Sequence, residues 1–168
     1  MNINHMKLQR LLKLAMISAG LLLAGNAAQA QTDTFNVTAS VGDACSVTAT
    51  DLGFGAYDPL SATDTDASST MDVTCTLSTA YNVGLDAGTG TGASTTTRIL
   101  EFGANQLNYI LSQNVGHTTN WGNSAGVDTV AGTGTGAAQT LTVYGRIAAL
   151  QSVPAGSYAD VITVTVTF

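Results

Sequence analysis

An all-β fold is what this sequence predicts, on three observations. Beyond residue 30 the chain is rich in Thr, Ser, Gly, Val and Ala and poor in Leu, Glu and Lys, a strand-and-turn composition. Apolar and polar residues alternate with period two in several separate places, as they do along a strand with one buried face. Gly/Ser/Thr/Asp-rich segments separate these stretches, and none of them holds a convincing 3.6-residue apolar period.

The strands are expected in this order. Phe35, Val37, Ala39 and Val41 alternate with Thr34, Asn36, Thr38 and Ser40. Met71, Val73, Cys75 and Leu77 alternate with Asp72, Thr74 and Thr76. Leu107, Tyr109 and Leu111 form a third run, and Leu141 and Val143 a fourth. Ile162, Val164, Val166 and Phe168 alternate with threonines at the end. Residues 58–69, 86–97 and 116–139 read as loops. Short strands punctuated in this way suggest a sandwich.

The first thirty residues read differently. Lys7, Arg10 and Lys13 precede an apolar run over residues 14–25, and Ala28-Gln29-Ala30 offers a small-x-small cleavage site. Residues 1–30 are therefore expected to be a secretory signal peptide. The apolar run is about 12 residues, short of the roughly 20 that span a bilayer, so no membrane insertion is expected.

Without that leader, 138 residues remain, enough for one domain. Arg98 and Arg146 then face eleven acids, a formal charge of −9 with no lysine. Such a surface repels phosphate, which excludes nucleic acid as a partner. Cys45 and Cys75, an even pair in an oxidising compartment, are expected to form a disulfide. Closing that loop contributes roughly 3.5 kcal/mol in the chain-entropy model.

The chemistry-bearing residues point away from an enzyme. Beyond residue 30 the one histidine, His117, lies in a polar loop and is read as solvated, so the serines lack an activating base. Gly132, Gly134 and Gly136 make G-x-G-x-G, without the spacing, helix or basic residue of a phosphate loop. Asp58, Asp64 and Asp66 offer oxygen ligands but lack calcium-loop spacing. Trp121 is read as packing back on the sandwich rather than as a sugar platform. No cofactor or metal is expected.

The alternation over Phe35, Val37, Ala39 and Val41 has two readings. It is the first strand of this domain's own sandwich, or an extension meant for a neighbour's sheet. Pattern alone does not separate them.

Several segments carry a resemblance. They are Cys45, Leu52-Gly53-Phe54-Gly55, Cys75, Leu107-Asn108-Tyr109-Ile110-Leu111, Trp121-Gly122, Val143-Tyr144-Gly145-Arg146-Ile147 and Val153-Pro154-Ala155-Gly156-Ser157-Tyr158-Ala159-Asp160. In this order and spacing, ending in the Val/Thr strand at Phe168, the chain resembles the spore coat protein U domain family, which includes subunits of archaic chaperone–usher pili.

That resemblance implies an incomplete immunoglobulin-like sandwich lacking its last strand, formed by residues 43–168, with residues 31–42 as an N-terminal donor strand. Phe35, Val37, Ala39 and Val41 become its pegs, spaced for pockets that take alternate side chains. Burying the three large pegs offers roughly 5–8 kcal/mol. The implied partners are a periplasmic chaperone, an outer-membrane usher and identical or related pilin subunits. The chaperone is expected to run along Ile162, Val164, Val166 and Phe168 and hold the terminal carboxylate. The implied role is a structural subunit, exported through the periplasm into an extracellular fibre for attachment and biofilm. A coat protein of the same fold and a secreted carbohydrate-binding module are the alternatives.

Overall fold

The computed structural model describes residues 28–168, so most of the expected signal peptide lies outside the described residues. The chain divides into two units between Ala39 and Ser40. In the first, residues 28–39 hold no regular secondary structure and are exposed. The second, Ser40–Phe168, holds eight strands in two antiparallel sheets.

The larger sheet is built on the longest alternation. β2 (Thr65–Cys75) buries Ser69, Met71, Val73 and Cys75 while Ser68, Thr70 and Asp72 face solvent. It lies between β1 (Cys45–Ala49) and β7 (Gln139–Ile147). β7 pairs in turn with β5 (Asn105–Ser112), and β5 with β4 (Arg98–Phe102). The β4–β5 hairpin closes through Gly103-Ala104, where Gly103 takes φ 59. Only a residue without a Cβ enters that conformation at little cost.

The smaller sheet runs β6 (Val130–Thr133), β3 (Ala80–Leu85), β8 (Val164–Thr167). Val83 and Leu85 from β3, Val73 from β2 and Ile147 from β7 fill the space between the sheets. The Cys45–Cys75 disulfide joins β1 to β2 at directly opposed positions.

The structure moves several expected boundaries. Thr65 to Ser69 belong to β2, and β6 sits within the expected 116–139 loop. Leu77 is 75% exposed in the turn after β2. β8 covers Val164 to Thr167 only, with Ile162 before it and Phe168 after it, 58% exposed. Residues 35–41 form no strand despite their alternation, because a strand needs an adjacent edge and no ladder includes them.

Candidate functional site

Two sheet edges face one another across the sandwich. β1 ends the larger sheet and β8 ends the smaller, and their Cα atoms approach within 8 Å. No ladder joins them among the described residues.

The pairing on their other sides dictates which backbone groups are left over. In an antiparallel ladder alternate residues bond to the neighbour, and those between turn their N–H and C=O the opposite way. Thr76 N donates to the Ala44 carbonyl at 2.9 Å, and Thr50 N to the Thr70 carbonyl at 2.9 Å. The register between is unbroken. Ala44, Ser46, Thr48 and Thr50 therefore bond to β2, while Cys45, Val47 and Ala49 turn their backbone groups outward. On β8, Asp86 N donates to the Thr163 carbonyl at 3.1 Å and the register runs on to Asn82↔Thr167. Val164 and Val166 therefore turn theirs outward too. Both edges point unpaired donors and acceptors into one gap.

The gap is apolar. Val164 lines it half-buried, with Met71, Leu85 and Leu111, while Val47 and Val166 are half-buried against the same core. A cavity of about 540 Å³ opens here, and one of about 640 Å³ adjoins it, the two sharing Leu52, Phe54, Leu100 and Tyr158. Phe54 stacks edge-on against Tyr109 at 5.8 Å, over Gly145. A Cβ on Gly145 would lie 2.8 Å from the Phe54 ring, so this approach requires glycine.

A polar network holds the approach to β8. Asp86 Oδ1 accepts from Thr163 N at 2.9 Å and Gly88 N at 3.0 Å. Burial pushes the Asp86 carboxyl up, but the Thr163 and Gly88 hydrogen bonds and the Arg98 charge outweigh it and hold it below its ordinary value. Asp160 accepts from Tyr109 Oη at 2.8 Å and from Thr89 N at 2.7 Å. Burial first, then the Asp160 hydrogen bond and charge, pushes the Tyr109 hydroxyl well above the usual tyrosine range. Arg98 is fully buried, a role its isolated place in the sequence did not signal.

The other sequence-selected residues sort as follows. Trp121 is 1% exposed and donates from Nε1 to the Val83 carbonyl at 2.9 Å, which leaves no ring face for a sugar. His117 is not a solvated residue. The Asn114 side chain accepts from Thr118 N and Thr119 N, His117 takes φ 52, and its ring lies with Nε2 3.5 Å from Asp66 Oδ1. No serine hydroxyl bonds to that ring among the described residues. Asp64 and Asp66 are engaged by Arg146, whose hydrogen bond draws the Asp66 carboxyl below its ordinary value. No group of three metal-ligating side chains occurs among the described residues. Phe35 and Val37 are 86% and 83% exposed, and Ala39 and Val41 are exposed as well.

The model of the Spore Coat Protein U domain matches residues 31–165. The chain belongs to that family. A curated relative, "Protein U" of Myxococcus xanthus, is 36% identical over 171 residues, covering 92% of this chain and 95% of its own. Among solved structures, the spore coat U fold seen here is shared with a chain of a chaperone–tip adhesion subunit pre-assembly complex from the archaic chaperone–usher Csu pili of Acinetobacter baumannii. That match has a TM-score of 0.58 at 22% identity and covers 77% of this chain and 41% of the other. The likeness shows a common immunoglobulin-like sandwich. No helix among the described residues is long and apolar enough to cross a membrane.

Proposed function

We propose that this protein is a structural, non-enzymatic subunit that polymerises into an extracellular fibre by giving its N-terminal segment to the groove of another copy. The observation that carries the reading is the pair of open edges, β1 and β8, flanking an apolar gap. An open edge is an aggregation hazard that strand addition removes, and donor-strand complementation in pilins is an established instance of that mode. The exposed pegs Phe35, Val37, Ala39 and Val41 supply the matching alternation. Donor and groove are different surfaces, so repetition gives an open filament rather than a closed ring.

On this reading residues 1–30 are removed on export, a periplasmic chaperone covers the groove first, and an outer-membrane usher directs exchange. Surface attachment and biofilm are the expected roles of the fibre. Deleting residues 31–41 tests this: the truncated subunit should cap growing fibres without extending them. Polymerisation equal to that of the exported chain would refute the donor assignment.

A second reading has its own support. The Myxococcus relative covers almost all of both chains, whereas the pilus subunit match covers under half of that chain. A coat layer of the same fold would then be the product. Electron microscopy of the cell surface, with and without the gene, distinguishes filaments from a continuous layer.

A further inference from the structure

Residues 41–44 read Val-Gly-Asp-Ala, and Gly-Asp between two alternating runs is a signature of a two-residue hairpin. Such a hairpin would turn the N-terminal segment back beside β1, into the subunit's own groove. It needs the N–H and C=O of Ala44 to bond with Val41. In the structure both are committed elsewhere. The Ala44 carbonyl accepts from Thr76 N at 2.9 Å, and Ala44 N donates to Thr76 Oγ1 at 3.2 Å.

The commitment is braced from behind. Thr79, 5% exposed, donates from Oγ1 to Asp43 Oδ1 at 2.8 Å and shares a 2.6 Å hydrogen bond with Thr76 Oγ1. Thr79 is itself fixed by the residue that follows β6, since its carbonyl accepts from Gly134 N at 2.7 Å. One residue on, Cys45 is covalently tied to Cys75. Asp43, which the hairpin would place in its turn, is thus bonded to the β2–β3 connection.

We infer that Asp43, Thr76 and Thr79 form a clamp that blocks self-complementation and so reserves the N-terminal segment for another subunit. This rests on the donor-strand reading above. The three are positioning residues: they touch the root of the donor, not the groove.

The test uses the exported chain and its T76V/T79V variant, which keeps side-chain shape and removes both hydroxyls. Each is refolded dilute, and the monomer fraction is followed by size exclusion and by hydrogen exchange over residues 35–41. The clamp variant is expected to accumulate monomer in which residues 35–41 are protected at least tenfold over the parent, and to polymerise more slowly. Adding Val37→Asp should abolish that protection, because a charge does not enter the apolar groove. A labelled peptide of residues 31–42 is offered to the Val37→Asp chain as a separate control. Peptide binding with no gain of protected monomer in T76V/T79V overturns the clamp and leaves the donor reading standing. No peptide binding overturns both. Should T76V/T79V fail to fold, Asp43→Ala, which removes only the exposed acceptor, must show the same gain.

Discussion

Arg98 and Trp121 are locked together in the middle of the sandwich. Arg98 Nη2 donates to the Trp121 carbonyl at 2.7 Å, and both side chains are fully buried. The same guanidinium bonds the carbonyls of Leu85, Asp86 and Thr95, so one side chain ties β3 to the loops on either side of the β4–β5 hairpin. Burial pulls its pKa down, and the carbonyl acceptors keep it in place. Replacing Arg98 by Met leaves those carbonyls without a donor, at a cost of about 3 kcal/mol. Urea unfolding of the exported protein should show the loss, and an unchanged midpoint would remove Arg98 from the account of stability.

Stability should fall at both ends of the pH scale. The folded-state pKa values of Asp86 and Asp66 lie below their ordinary values. Their contribution is present above the unfolded aspartate pKa of about 3.9 and is lost as pH falls through the lower folded values. Tyr109 is shifted the other way. Its contribution is present below the unfolded tyrosine pKa of about 10 and is lost as pH rises above it. Thermal unfolding across pH should show an acid limb reduced by Asp86→Asn and an alkaline limb reduced by Tyr109→Phe. Unaltered limbs in these variants would mean that other groups set the pH response.

The disulfide should matter twice. Removing it with the paired change C45S/C75S is expected to cost roughly 3.5 kcal/mol through the unfolded chain. It also frees β1, one wall of the groove, so hydrogen exchange at Ser46 and Thr48, whose backbone groups bond to β2, should rise more than at β7. Equal change in both strands would make the bond a general staple with no special bearing on the groove.

Much of this was legible in the alternation. Met71, Val73 and Cys75, then Leu107, Tyr109 and Leu111, read as half-buried strands because their buried faces follow period two. β3, β4 and β6 were not. Gly84 interrupts β3, β4 begins at a buried arginine, and β6 is four residues with Gly132 inside it. Leu52, Phe54, Gly145 and Tyr158 carried a resemblance before they carried a reason; their meeting around the adjoining cavities supplies one. The groove itself was not readable, since it depends on which strands end their sheets. His117 was misread because a single loop histidine gives no periodic signal.

Closing the groove chemically should stop assembly. Val164→Asp places a carboxylate among the walls of the gap, while Thr165→Asp on the same strand faces solvent. The first should prevent polymerisation, and the second should leave it within about twofold. Indifference to Val164→Asp, measured by light scattering, would separate the gap from assembly.

The central claim is that the donor and the groove belong to different subunits. Assembled protein should be prepared from equal parts isotopically heavy and light chains, with a photo-crosslinking residue in place of Val37. After irradiation, mass spectrometry of the digested product reads which peptides are joined. The account predicts heavy–light pairs linking the 31–42 peptide to peptides containing β1 or β8. Links confined to heavy–heavy and light–light pairs would show that each chain fills its own groove, and links elsewhere on the surface would show that the gap is not the acceptor.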